Sequence, residues 1–366
     1  MGIFQKRPAL RWLAPLSLVL AVGATGAVVT QAQADPALPA KSAEQLLVGL
    51  QDAKVDGLSG TVVQQANLGL PALPATGGAT SAQLTSLLSG SHQLRVWYAG
   101  PDKSRVAVLD QLGETDVVVN GTDVWTFASK DQKATHRVLP AAPAAGERRV
   151  PESADLPKTP EEAARTVLDA IGPTTTVSTD RTVTVAGRDA YELVLAPKDS
   201  GSLIGEVRVA VDAATSVPLR VQVLSPAGDD IATVGYTAVD FATPDAAQFD
   251  FNPPKGTEVT EAPAPQEPRK PSAGERRAAE QKAEQAKAGT EVVGHGWTTV
   301  VVTKVPKGTA DSGQLAGVVK GLPTVSGTWG SGRLFQGTAF SAVLTDDGRL
   351  AVGAVKAELL YDALAK

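Results

Sequence analysis

Short Val-rich segments in which apolar and polar residues alternate constrain this chain more than any other feature of its sequence. In residues 189–197, 206–212 and 217–223 every second side chain is apolar, and charged residues such as Arg208 and Arg220 fall between. A period of two is that of a β-strand with one buried face. Tight turns such as Asn120-Gly121 join neighbouring segments, which favours antiparallel pairing. The sequence predicts a mainly β (α+β) fold, with one large antiparallel sheet that has an apolar face and a face in water.

Two short helices are predicted beside the sheet. Ser42 and Gln45 have the spacing of a capping box before a leucine stripe, which predicts a helix over residues 42–53. Thr159 and Glu162 repeat that pattern, and the second helix extends to residue 171. Two short helices cover only part of such a sheet. The sequence therefore leaves open whether the rest of the apolar face is packed core or the wall of a cavity.

The N-terminal residues 1–34 read as an export signal. Lys6, Arg7 and Arg11 precede an uncharged run over residues 12–30, and a small-x-small site ends at Ala34. We predict a signal peptide cleaved after Ala34, or else an uncleaved membrane anchor, because the uncharged run is long enough to cross a bilayer. In either case the basic start leaves the rest of the chain extracytoplasmic, secreted or anchored at the outer face of the cytoplasmic membrane.

The exported part divides by composition. Residues 41–259 hold the strand pattern, interrupted by a Pro/Gly/Ser-rich insertion at 70–90. Residues 260–289 are rich in Pro and then in Ala, Glu, Lys and Arg, which is typical of a solvated linker. Residues 290–366 regain a strand and helix pattern. They predict a small C-terminal α+β domain.

Composition excludes several classes of function. The chain has no cysteine, its three histidines (His92, His136 and His295) lie far apart, and 34 basic against 39 acidic residues give a net charge of −5. Metal centres, thiol chemistry and broad nucleic-acid surfaces are therefore not expected. No phosphate-binding loop or nucleophile elbow occurs, and the acidic pairs 229–230 and 346–347 fall in predicted turns. We predict a protein without catalytic residues or a cofactor.

Four phrases, in order along the chain, resemble the LolA/LolB-like lipoprotein-carrier superfamily. Residues 120–127 (NGTDVWTF) are similar to its "DG-x-x-x-W-x-Y" hairpin, and residues 189–198 to its "Y-x-L-x-L-x-P" strand. Residues 217–221 (VPLRV) are similar to a strand that carries "G-L-P-x-R", and residues 249–256 (FDFNPPKG) to "F-x-F-x-P-P-x-G". The resemblance extends over about residues 42–259.

This resemblance implies a large unclosed antiparallel β-barrel, with lid helices over a hydrophobic cavity for acyl chains. The superfamily includes carriers and also RseB/MucB-type regulators, which have a second, smaller domain that residues 345–355 and the last helix resemble. The implied function is a non-catalytic carrier or sensor of lipid or lipoprotein acyl chains. The alternative is a regulator of an anti-sigma factor or other membrane protein in envelope stress signalling. The chain lacks the lipobox cysteine of lipid-anchored members.

The apolar strand positions are the candidate lining of this cavity, because each alternates with polar neighbours or shares a face with an aromatic residue. The predicted lipid-binding residues are Leu94, Val96, Tyr98, Trp125, Phe127, Tyr191, Leu193, Leu195, Val207, Val209, Leu219, Val221 and Val223.

Overall fold

The structure is a computed structural model that describes residues 38–69, 90–110, 113–140, 168–169, 171–263, 289–305 and 314–366. Four predicted segments lie wholly or mostly outside the described residues: the export signal, the insertion at 70–90 except its last residue, most of the helix at 159–171 and most of the linker. The described part is mostly β-strand and forms two sheets.

The larger sheet has twelve strands. They are β1 (Leu58–Ala66), β2 (Gly90–Tyr98), β3 (Lys103–Asp110), β4 (Gly113–Asn120), β5 (Asp123–Ala128), β6 (Lys133–Val138), β7 (Thr175–Val185), β8 (Arg188–Pro197), β9 (Glu206–Asp212), β10 (Pro218–Leu224), β11 (Asp230–Asp240) and β12 (Glu258–Glu261). Their order is β12-β6-β5-β4-β3-β2-β1-β11-β10-β9-β8-β7. The sheet is therefore unclosed, with β12 and β7 at its edges, and all neighbours are antiparallel except β12, which runs parallel to β6.

Helix α1 (Ala43–Asp52) forms where the capping box predicted a helix. The Ser42 Oγ accepts a hydrogen bond from the backbone N–H of Gln45, and the Gln45 Oε1 accepts one from the N–H of Ser42. The helix packs on β7 and β8, where Leu46 is buried. Its leucine stripe thus covers one end of the sheet.

The C-terminal residues form a second sheet of six strands. They are β13 (Thr290–Val293), β14 (Val300–Lys304), β15 (Thr324–Gly327), β16 (Gly330–Gln336), β17 (Ser341–Thr345) and β18 (Arg349–Gly353), in the order β13-β14-β18-β17-β16-β15. Helices α2 (Gln314–Gly321) and α3 (Ala357–Leu364) accompany it. Leu360 of α3 is fully buried with Val300 and Val343, so this module has its own core. Short 3₁₀ turns lie at Ala246–Phe249 and Gly296–Thr298.

The second module contacts the large sheet directly. The N–H of Leu203, between β8 and β9, donates to the carbonyl of Ala354 at 2.9 Å, and the N–H of Lys356 donates to the carbonyl of Gly201 at 2.9 Å. The indole Nε1 of Trp297 donates to the Thr175 Oγ1 at 2.8 Å. Backbone and side-chain hydrogen bonds therefore join the modules at the edge formed by β7 and the β8–β9 loop.

The charged face of the second half of the sheet is not simply in water, contrary to the sequence prediction. The carboxylates of Glu192 and Asp212 are each about 1% exposed. Glu192 accepts hydrogen bonds from Arg208 and Arg220 at 2.8 and 3.1 Å, and Asp212 accepts two from Arg188. The charged side chains of this face therefore form ion pairs with one another, because a buried carboxylate must be paired.

Candidate functional site

Strand register shows which apolar residues share a face of the large sheet. Partners that lie directly opposite each other in neighbouring strands project to the same side. Leu193 pairs with Val209, Val209 with Val221 and Val221 with Val234. Val234 pairs in turn with Gln64 of β1, and Gln64 with His92 of β2. We call this side the α1 face, because α1 packs on it, and we call the other side the Trp125 face.

Under α1, the α1 face is a packed core. Leu46 forms a buried cluster with Tyr191, Leu193, Val209 and Val221, against which Leu195 and Val207 pack. Six predicted lining residues are therefore brought together, although helix side chains cover them. Val223 lies on the same face, since it pairs with Val207.

Beyond β1, the α1 face continues as a more open apolar surface. Val96 of β2 pairs with Val106 of β3, which pairs with Val117 of β4, and Leu94 pairs with Val108. Val117 is 41% exposed, and of these side chains Leu94 alone is buried. In the described part of the chain, none of the buried hydrophobic clusters includes a residue of β2 to β5. A contiguous, partly exposed apolar surface is typical of a binding site.

We call this surface the valine face. It consists of Leu94, Val96, Tyr98, Val106, Val108, Val117, Val119 and Val124. The sequence prediction included the first three and missed the five valines of β3 to β5. Residues 106–108 (VAV) and 117–119 (VVV) are continuous apolar runs without polar residues between them, so the sequence does not show which of their valines share a face.

Leu219 does not share the face of Val221, so the prediction that both line one surface is wrong. It packs in a different cluster with Ala190 and Ala210, whereas Val221 packs under α1. The cause is a β-bulge: Pro218 pairs with Val211 and Arg220 with Ala210, which leaves Leu219 unpaired between them. A bulge inserts one residue and interrupts the alternation of faces.

Trp125 and Phe127 lie on the Trp125 face, opposite to Leu94, Val96 and Tyr98. Trp125 pairs with Val118, Val118 with Arg105 and Arg105 with Trp97, so this row falls between the valines. The two predicted groups therefore cannot line one surface.

The Trp125 face carries a polar-rimmed cleft of about 640 Å³, which Phe127 lines and Trp125 does not. The ring of Phe251 packs 5.3 Å from Trp125 and 5.6 Å from Phe127, and Phe127 and Phe251 line the cleft. The Arg105 Nε donates to the buried carboxylate of Asp116 at 2.9 Å. Burial, followed by the charge and hydrogen bond of Asp116, raises the pKa of Glu114, which also lines this cleft. The charges are paired within the protein, so this cleft is a weaker candidate for an acyl ligand than the valine face.

The described residues show neither a metal cluster nor a membrane-spanning helix. Over these ranges, no group of three or more His, Asp or Glu side chains is placed to hold a metal ion. Within the same ranges, every helix is too short or too polar to span a bilayer.

Comparison with known proteins yields similar folds at low identity. No family model and no curated protein matches the chain. Among solved structures, the MucA/MucB complex of Pseudomonas aeruginosa is 14% identical, covering 88% of this chain and 96% of that chain, with a TM-score of 0.41. A LolA-superfamily protein of Nitrosomonas europaea is 11% identical, covering 58% and 99%, with a TM-score of 0.22. An uncharacterized conserved protein of Thermus thermophilus is 13% identical, covering 60% and 99%, with a TM-score of 0.32.

Proposed function

We propose that this protein is an exported, non-catalytic carrier or sensor that binds lipid or lipoprotein acyl chains on the valine face. The observation that carries the proposal is the row of Val96, Val106 and Val117, which is apolar, contiguous and partly exposed. Burial of an acyl chain of about 16 methylenes at roughly 0.8 kcal/mol each provides ample driving force before ordering costs. Aliphatic side chains without hydrogen-bonding groups suit such a ligand.

The first test is whether the protein carries lipid. Native mass spectrometry of the purified protein, followed by solvent extraction, should show a bound acyl lipid, and a pyrene-labelled fatty acid should bind. Absence of both would contradict the proposal.

A matched pair of variants locates the site. Val117→Arg places a charge on the valine face, and we expect it to weaken fatty-acid binding at least about tenfold because a charge opposes burial of the chain. Gln93→Arg adds the same charge at an exposed position of the Trp125 face and should leave binding unchanged. Both sites are exposed, so each melting temperature should stay close to that of the parent protein. If Val117→Arg binds the fatty acid as tightly as Gln93→Arg and the parent protein do, the site lies elsewhere.

A regulatory role is the second candidate. The hydrogen bonds of Leu203, Lys356 and Trp297 join the second module to the large sheet. Through these bonds, a ligand on the large sheet can change the affinity of the second module for a protein partner. The sequence resemblance to two-domain regulators favours an anti-sigma factor as that partner. Titration with the extracytoplasmic segment of an anti-sigma factor from the same organism, with and without fatty acid, tests this role. A lipid-dependent affinity supports regulation, and no binding in either state supports transport alone.

A further inference from the structure

Gln64 interrupts the apolar surface of the α1 face at its centre. Its strand partners on this face are His92 on one side and Val234 on the other. Val234 pairs with Val221, which belongs to the packed core under α1. On the other side, Leu94 lies two residues after His92 and is the first residue of the valine face. The carboxamide of Gln64 therefore stands at the border between the packed and the open part of the α1 face.

The Oε1 of Gln64 is a buried acceptor without a donor. The residue is 1% exposed, and no group of the described residues donates a hydrogen bond to this oxygen. Roughly 90% or more of buried polar groups have a hydrogen-bond partner. A buried carbonyl that has lost its hydrogen bonds to water without forming others destabilises the fold. Leucine or methionine would fit an apolar position without this cost. A glutamine here calls for a donor that arrives from outside the described residues.

We propose that Gln64 accepts a hydrogen bond from the polar end of the bound acyl ligand, an inference that rests on the proposed function. The ligand class is an acyl chain with a donor at its head, either an amide N–H or a hydroxyl. The chain lies along the valine face, and the donor reaches the border at Gln64. An ester or an ether has no such donor. The site therefore prefers N-acyl or hydroxyl-bearing lipids over donor-free lipids of the same chain length.

Two probes of one chain length test this preference. Myristamide carries the donor and methyl myristate does not, and each is measured by its displacement of a pyrene-labelled fatty acid. One buried hydrogen bond corresponds to a preference of about tenfold for myristamide. Gln64→Met and Gln64→Leu should abolish the preference and change the affinity for methyl myristate less than about twofold. Gln65→Leu alters the next residue, which lies on the Trp125 face, and should keep the preference.

The melting temperatures without added lipid give an independent readout. If the donor comes from a ligand, Gln64→Met and Gln64→Leu melt at or above the parent temperature, because an unpaired buried carbonyl is removed. Melting of both variants well below the parent would show that the chain itself supplies the donor, and would overturn the inference. Equal affinity of the parent protein for the two probes would overturn this inference but leave the proposed function standing. Failure of both probes to bind would overturn both.

Discussion

At the scale of single residues, the geometry around His136 favours its protonated form. Its Nε2 lies 2.9 Å from an oxygen of Asp123, its Nδ1 lies 2.9 Å from an oxygen of Glu261, and its ring stacks on Trp125 at 4.3 Å. A neutral imidazole has a single N–H, so both contacts are hydrogen bonds only when the ring is protonated. The hydrogen bond to Asp123, followed by the hydrogen bond to Glu261, raises the pKa of His136 above its usual value.

The protonated ring of His136 attracts Glu261 of edge strand β12, so we expect this contact to stabilise the fold in a pH-dependent way. A raised folded-state pKa gives stability that is complete below the unfolded pKa of about 6.5 and is lost as pH rises through the folded pKa. We expect His136→Gln to lower the melting temperature most near pH 5 to 6, with a gap from the parent that narrows toward pH 9. His295→Gln, at an exposed histidine, is the control. A gap that is constant with pH would show that His136 acts by packing alone.

The pair of Arg188 and Asp212 predicts a larger and simpler effect. Burial alone would raise the pKa of Asp212, but hydrogen bonds from Arg188 and Thr215 outweigh it and hold that pKa below its usual value. Arg188→Ala leaves a carboxylate unpaired at 1% exposure, and we expect a loss of about 3 kcal/mol in the free energy of unfolding. Arg181→Ala removes a 60% exposed partner of Glu192, 3.9 Å away, and should cost less than about 1 kcal/mol. Urea titration measures the free energy of unfolding of both variants. Similar losses would show that the buried pair of Arg188 and Asp212 stabilises the fold no more than the exposed Arg181 does.

At the scale of elements, the sequence contained the strands and α1 but not the way in which faces combine. Alternation identifies the residues that share a face within one strand, as for Tyr191 and Leu193, and the capping box at Ser42 located α1. Whether Trp125 faces the same side as Val96 depends on the register across three hairpins, which hydrogen bonds set. Likewise the bulge at Leu219 leaves no pattern in the sequence, because each of its neighbours still alternates.

The packing of α1 predicts opposite outcomes for two valines on one face. Val221 is 8% exposed in the cluster of Leu46, so Val221→Arg buries an unpaired charge and should unfold the protein or lower its stability by several kcal/mol. Val117→Arg, on the valine face, should keep the fold. Circular dichroism melts of the two variants side by side make the comparison. An unchanged melt for Val221→Arg would mean that α1 does not cover this position.

At the scale of the whole molecule, the two modules have separate cores but a shared boundary. The linker composition predicted two domains, and the cluster around Leu360 gives the second its own core. The bond from Trp297 to Thr175 and the backbone bonds between residues 201–203 and 354–356 were not predictable. These contacts depend on loops, whose docking has no periodic pattern.

The boundary predicts the behaviour of the cleaved protein. Residues 264–288 contain several basic residues, among them Arg269, Lys270 and Arg276, within the predicted solvated linker, so brief trypsin treatment should cut there first. Because backbone hydrogen bonds join the modules, we expect the two fragments to co-elute in gel filtration and to separate in denaturant. Separate elution under native conditions would show that the linker alone holds them together.

The central claim is that acyl chains lie on the valine face, and photo-crosslinking tests it most directly. A fatty acid with a diazirine near the end of its chain is bound, irradiated and mapped on the protein by peptide mass spectrometry. We expect the label within residues 94–124, at side chains of the α1 face such as Val106, Val108 and Val117. Label concentrated on the opposite face, at Phe127 and Phe251 of the cleft or at the neighbouring Trp125, would contradict the account.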